Sequence, residues 1–538
     1  MPEHIHDQTP SEVGPAAQSE SDSPVSPLLT FGLIVLSLVV LLLPTPTGMT
    51  AAAHRLIAVT VLIAGFWITQ AIPLAAASLL PLALFPLLGI QNAKDTAKAY
   101  AEDSLFLYIG GMIIALGIER WQLHRRIALT VVSLVGVSPR RLVMGFSLAT
   151  FLLSMWISNT ATTMLMLPIV LALLQVLDEG SDGAGNRPDS PLAVPLLLCL
   201  AYASTLGGMA TPVGSPTNSV AIGIYREQLP EAPDVFFSDW LLVCGPIALC
   251  YLGLVIASLV RGLPGTTAAD SRIRAELLRR RQQLGPLSQA EWLMLAVFGL
   301  TALLWVFREP LVIGRIELFR GWQWYLAKIC GTLTGDTTLQ ATLLARGAVS
   351  DATVAILMTV LLFLLPSGTR SSQGQAIPLM NWPTAVRLPW DMILLFGGGF
   401  ALASAFEKTR LAVWLADFLQ KPLQGQPAWL AVAVICLILV LLTELTSNVA
   451  TVTAVLPSLL ALAAPLGLDP RMLFIPATLA ASAGFMLPVG TPPNAIVFGT
   501  GRIPAREMAR RGLLLNLIGV PLLTAGAWLI IRPVLGLK

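Results

Sequence analysis

DSLFLYIGGMIIALGIER, residues 103–120, returns as DMILLFGGGFALASAFEK at 391–408, a separation of 288 residues. SNTAT at 158–162 returns as SNVAT at 447–451, 289 residues on, and PVGSPTN at 212–218 returns as PVGTPPN at 488–494, 276 residues on. Three strings in one order at nearly one offset make an internal repeat. The polar stretch DEGSDGAGNRPDS, 178–190, lengthens the first copy and accounts for the shorter third offset. Unit one is read as 54–261 and unit two as 291–532.

The 538 residues are 55% hydrophobic and only 12% charged, which excludes a soluble globular class and makes the lipid bilayer the solvent. Apolar runs near 27–44, 54–71, 74–90, 103–119, 239–260, 291–307, 352–366, 428–445 and 512–532 approach or reach the roughly 20 residues that cross a hydrocarbon core. The order is a disordered tail at 1–26, a first transmembrane helix at 27–53, the two units joined by a basic loop at 262–290, and a short C-terminal tail at 533–538. Arg261, Arg272, Arg274, Arg279, Arg280 and Arg281 place that loop in the cytoplasm. Counting each SN segment as a re-entrant hairpin and each PVG segment as one broken span, each unit crosses five times. Unit one then starts outside and unit two inside, so the copies are inverted. The segment 123–137 is too short to span; His124, Arg125 and Arg126 at its start and Arg140 and Arg141 just beyond its end set it in the cytoplasmic interface.

The polar breaks carry the chemistry. Ser and Asn cap helices, and a break inside an apolar segment leaves free N–H groups at one half-helix and free C=O groups at the other. The first suits an anion and the second a cation. Gly214, Ser215, Pro216, Thr217 and Asn218 repeat the arrangement, since Gly permits a tight backbone and Pro forbids a continuous helix. Gly490, Thr491, Pro492, Pro493 and Asn494 are their counterparts. A lone Ser-Asn-Thr in a membrane helix is more often interhelical glue. Two inverted copies, each paired with a broken PVG string, point instead to a midplane binding site.

With these duplicated SNT and G(S/T)PxN motifs the chain resembles the divalent anion:sodium symporter family over nearly its whole length. The resemblance implies an all-α polytopic membrane protein with about eleven transmembrane helices, two re-entrant hairpins, a homodimeric scaffold and an elevator motion. It implies that Ser158, Asn159, Thr160 and Ser215 form one half of a substrate cradle, and Ser447, Asn448 and Thr491 the other. One sodium ion is then expected near Ser154, Ser158, Asn159 and Gly214, and a second near Thr443, Asn448 and Gly490, with Asn218 and Asn494 in support. The second motif departs from the pattern: Val449 stands where unit one has Thr160, so one hydroxyl is lost from the cradle.

No Lys, Arg or His lies in these motifs, so a dianion needs another source of positive charge. Unit charges about 4 Å apart at an effective dielectric near 20 interact by roughly 4 kcal/mol, so a cation on each side suffices. Hydroxyl, amide and carbonyl oxygens are ligands that sodium accepts. Glu444, three residues before Ser447, either tunes the second cation site or carries a proton, or is a structural partner for a nearby hydroxyl or helix end. Glu119 with Arg120, and Glu407 with Lys408, read as interfacial ion pairs. The expected function is sodium-coupled symport of divalent anions, four-carbon dicarboxylates first, then citrate and sulfate, across a bacterial inner (plasma) membrane. A sodium-independent exchanger of the same fold is the alternative. An enzyme is disfavoured by the absence of HExxH, DDxxD-like or GxSxG strings, and a pump by the absence of GxxxxGK[ST]. No nucleic-acid partner is expected.

Overall fold

A computed structural model describes residues 27–178, 191–266, 270–314, 316–345, 347–371, 373–411, 413–415 and 426–537. The expected tail at 1–26 and most of the polar connector at 178–190 lie outside the described residues.

Helix α1 (Pro27–Leu42) precedes the repeat. Unit one holds α2 (Ala51–Thr69), α3 (Leu74–Ser78), α4 (Leu80–Leu87), α5 (Ala93–Ala99), α6 (Asp103–Arg120), α7 (Leu123–Val135), α8 (Pro139–Ser154), α9 (Asn159–Asp178), α10 (Ala193–Met209), α11 (Pro216–Gln228) and α12 (Phe237–Val260). The connector carries α13 (Asp270–Gln283), where the Arg279 and Arg280 guanidinium groups hold the Glu276 carboxyl down to about 2.

Unit two opens with α14 (Gln289–Val306), started by a capping box in which Ser288 and Glu291 satisfy each other's backbone N–H groups. An excursion follows that the apolar pattern did not announce: strand β1 (Leu311–Ile313) antiparallel to β2 (Ile316–Phe319), then α15 (Trp322–Thr334) and α16 (Thr337–Leu344). After α17 (Asp351–Leu364) comes a second small hairpin, β3 (Pro366–Arg370) with β4 (Ala376–Pro378). The remaining helices are α18 (Trp382–Ala385), α19 (Trp390–Lys408), α20 (Ala428–Thr443), α21 (Asn448–Ala461), α22 (Arg471–Ser482), α23 (Pro492–Phe498) and α24 (Ala505–Gly526). The last runs through a π-helical turn, Ala527–Ile531, into α25 (Arg532–Val534).

Among the described residues, seven helices are long and apolar enough to cross a membrane, and seven more are apolar but shorter. The shorter ones include the broken and hairpin elements. Taking α3 with α4, α10 with α11 and α22 with α23 as single broken crossings, and α8–α9 and α20–α21 as hairpins, gives eleven crossings. Leucines stand well exposed along the outside, Leu364 and Leu529 among them, as befits a molecule whose solvent is lipid.

The two units pack on each other reciprocally. Helix α6 of unit one lies against α17 of unit two, and α19 of unit two lies against α3 of unit one. Likewise α11 packs on α21, and α23 packs on α9. Each element meets the counterpart of its own partner, the pattern that a two-fold relation between inverted copies produces. The glycines of the first repeated string explain the close approach. A Cβ at Gly110 would lie 2.6 Å from the Ala355 Cβ, and one at Gly398 would lie 2.7 Å from the Ser78 carbonyl oxygen. Only glycine lets these helix pairs meet backbone to backbone.

One expectation needs correction. Glu119 and Lys408 do form ion pairs, but not with their sequence neighbours: Glu119 meets Arg387 at 3.3 Å and Lys408 meets Asp95 at 2.9 Å. Adjacent residues on a helix point about 100° apart, so partners come from other elements. Arg120 lies instead over the Trp121 ring.

Candidate binding site

Both SN motifs sit where one helix stops and the next begins. Helix α8 ends at Ser154 and α9 starts at Asn159; α20 ends at Thr443 and α21 starts at Asn448. Ser154 Oγ donates to Asn159 Oδ1 at 2.9 Å. In unit two, Thr443 Oγ1 lies 2.7 Å from Asn448 Oδ1 and 2.5 Å from the Ala481 carbonyl oxygen. A hydroxyl has one proton, so one of those two acceptors is free at any moment.

The PVG motifs sit at the second pair of breaks. Pro216 and Pro492 begin α11 and α23 in the first turn, where a missing N–H costs nothing. Asn218 Nδ2 donates to the carbonyls of Gly208 and Thr211, both at 2.8 Å, closing the loop between α10 and α11. Asn494 Nδ2 does the same for Gly484 at 3.1 Å and Leu487 at 3.0 Å. The spacing is ten and seven residues back in both units. The amide oxygens left over, Asn218 Oδ1 and Asn494 Oδ1, are buried without a hydrogen-bond partner. Such orphaned acceptors ask for a cation or a water.

Carbonyl oxygens gather around Gly214: a Cβ there would meet those of Ser154, Met155 and Gly208, each at 2.9 Å. A Cβ at Gly208 would overlap the Asn159 amide. Ser154, Asn159 and Gly214 are therefore brought together in a nest of hard oxygens, which fits the donor preference of sodium. In unit two, Thr443 and Asn448 are joined by their hydrogen bond, while Gly490 faces a different set of oxygens. A Cβ at Gly490 would lie 2.7 Å from Glu444 Oε2 and 3.3 Å from the Leu487 carbonyl oxygen.

Burial divides the predicted residues into two sets. Ser154, Gly214, Ser215, Asn218, Thr443, Gly490, Thr491 and Asn494 are buried; Ser158, Asn159, Thr160, Ser447 and Asn448 are partly open. In this conformation the open set is the accessible part of the predicted cradle, and Ser215 and Thr491 lie buried beside it. Thr491 Oγ1 also caps α23 by accepting the Asn494 N–H at 3.3 Å, whereas Ser215 makes no such cap. Val449 is buried at the start of α21, with no hydroxyl to offer.

Glu444 has three structural partners. Its carboxylate accepts the N–H groups of Met486 and Leu487, both at 2.8 Å, and the Asn516 Nδ2 of α24 at 2.5 Å. It braces the loop that leads into Gly490. Unit one solves the same problem with a hydroxyl: Thr211 Oγ1 donates to the Met155 carbonyl and accepts from the Gly214 N–H at 3.0 Å. Sequence reasoning missed Thr211 and Asn516. The first stands immediately before PVG, and the second is a lone amide in an apolar span, a signal of interhelical bonding.

Two repeated units, each with a pair of helix breaks buried among apolar helices, are the architecture of a polytopic membrane transporter. Residues 27–534 match the family described as the sodium:sulfate symporter transmembrane region. The chain belongs to this family. It is 36% identical to the sodium-dependent dicarboxylate transporter SdcS of Staphylococcus saprophyticus over 94% of this chain and 91% of that one. It is 35% identical to SdcS of Staphylococcus aureus strain MRSA252, over 97% and 95% of the two chains. Among solved structures, MtrF of Neisseria gonorrhoeae aligns with 95% of this chain and 94% of its own at 14% identity and a TM-score of 0.49.

Proposed function

We propose that the protein is a sodium-coupled symporter of divalent anions in the bacterial plasma membrane, with four-carbon dicarboxylates such as succinate, malate and fumarate as its substrates. The observation that carries this reading is the pair of oxygen nests, each with an orphaned amide oxygen, flanking motifs that contain no basic side chain. Such a pocket has ligands for cations and none of its own positive charge for a dianion. Cations bound in the nests then supply the charge, and substrate and sodium raise each other's affinity reciprocally.

In this reading Ser158, Asn159, Thr160 and Ser215 face one carboxylate and Ser447, Asn448 and Thr491 the other. Ser154, Ser158, Asn159 and Gly214 hold one sodium; Thr443, Asn448 and Gly490 hold its mate. The names of the staphylococcal relatives support both the ion and the dicarboxylate. The protein works as a homodimer whose cradle-bearing helices, α8–α12 and α20–α24, slide as a body past the rest. An exchanger without sodium would need a basic side chain in the cradle, which the motifs lack. Uptake of labelled succinate into proteoliposomes, competed by malate, fumarate, citrate and sulfate with and without sodium, tests the reading. Malate and fumarate should compete best, and only in sodium. Full uptake without sodium refutes the coupling.

A further inference from the structure

At the end of the molecule away from the basic connector, charged groups from two sets of helices converge on a cavity of about 520 Å³, lined by Asp103, Arg226, Asp234, Phe236, Arg308 and Glu309 among others. By the charge rule that places α13 inside, this end faces outside. The lining arginines already have carboxylate partners, Arg226 with Asp234 at 2.7 Å, Arg308 with Glu309 at 2.7 Å and Arg320 with Glu317 at 3.4 Å, so none is left over to recruit an anion.

The contacts sort by which elements they join. One group lies entirely among α6, α14, α17 and the excursion 307–350. Arg308 Nε donates to Asp351 Oδ1 at 2.8 Å, both side chains 3% exposed; Trp305 Nε1 donates to the Asp351 carbonyl at 2.9 Å; Ser350 Oγ donates to Asp103 Oδ1 at 2.7 Å. Breaking a buried pair of this kind leaves an uncompensated charge, so this group is fixed. The other group bridges from α11, which begins beside Ser215, and its neighbour α12 to that fixed frame. Arg226 Nη1 lies 3.6 Å from Asp103 Oδ2, the Phe237 N–H donates to Asp351 Oδ2 at 3.1 Å, and the Arg308 guanidinium covers the Phe236 ring. The bridging ion pair is long, and its carboxylate is 43% exposed, so water replaces it readily.

We propose that Arg226 and Asp103 form the releasable contact of an external lock, closed in this conformation, with Arg308–Asp351 as its fixed anchor and the Phe237 N–H as its second bolt. The lock rests on the sliding motion proposed above. Opening it frees the outer end of α11, whose inner end begins next to Ser215, and so gives the cradle access to the outside. The lock sets what fraction of the protein faces outward, and apparent affinity from outside scales with that fraction.

The test is external KM against maximal rate for succinate in sodium, using right-side-out vesicles. Asp103→Asn should lower external KM about three- to fivefold. Ser350→Ala, which removes a hydroxyl that orients Asp103 and also caps α17 by accepting the Thr353 N–H at 3.3 Å, should lower it in the same direction by less, and keeps the proposal testable if Asp103→Asn folds poorly. Exchanging the charges, Asp103→Arg with Arg226→Asp, should return KM toward the original. An unchanged or raised KM in well-folded Asp103→Asn and Ser350→Ala overturns the lock, as does a lowered KM that the exchange leaves uncorrected. A second arm separates the lock from the motion beneath it. Asp103→Cys with Arg226→Cys, bridged by a short bifunctional thiol reagent, should stop transport where neither single variant does. If the bridged protein transports normally, the sliding motion itself is refuted. If bridging stops transport while Asp103→Asn leaves KM unchanged, the motion stands and the lock alone is refuted.

Discussion

Asn159 and Asn448 each present an amide oxygen to a hydroxyl on the preceding helix, Ser154 and Thr443, from the first residue of the following one. In each the amide nitrogen is the group proposed to donate to the substrate. Removing such a donor from a charged ligand costs about 1.5–3 kcal/mol, or roughly ten- to a hundredfold in affinity. Asn159→Ala and Asn448→Ala are each expected to reduce sodium-dependent succinate uptake by at least that factor while eluting as folded protein; normal uptake in both would mean the site lies elsewhere. These two residues were legible in the sequence because each sits in a polar string within an apolar segment and recurs in the second unit. Thr211 and Asn516 were not, because each acts singly, and the unit-two counterpart of Thr211 is Leu487. Symmetry exposes shared chemistry and conceals what one copy has changed.

At the scale of elements, the repeated glycines fix which helices meet. Gly398→Val would drive a branched side chain into the Ser78 backbone, and overpacking of this kind costs about 1–3 kcal/mol. Thermal unfolding in detergent should show the loss, while the same change at Gly253, which has open space, should show little. Helix α7, a 13-residue helix too short to span, buries His124. Burial pushes that imidazole down to about 4. An unfolded chain takes up the proton near pH 6.5, so the folded state loses stability as pH falls from about 6.5 toward 4 and is unaffected above. His124→Gln should flatten that part of a melting-temperature profile; an unchanged slope would place the acid sensitivity in other groups. The number and order of apolar spans could be read from hydropathy, but the excursion 307–350 could not. It is short, mixed in composition, and held by contacts such as Arg308 with Gln323 and Val349 that have no periodicity.

For the whole molecule, reciprocal packing of α6 on α17, α19 on α3, α11 on α21 and α23 on α9 follows from two inverted copies of one plan. That plan gives each unit two helix breaks, and the proposed cation sites at them are braced differently, one through Thr211 and one through Glu444. The different bracing implies that the two nests need not be filled with equal ease. The central claim is that cations in those nests stand in for the basic residues the cradle lacks, so that dianion and sodium travel together. Succinate-dependent uptake of labelled sodium into proteoliposomes tests it most directly. The account predicts that succinate stimulates sodium entry and that Asn159→Ala and Asn448→Ala abolish the stimulation. Succinate accumulation with no accompanying sodium movement would contradict it.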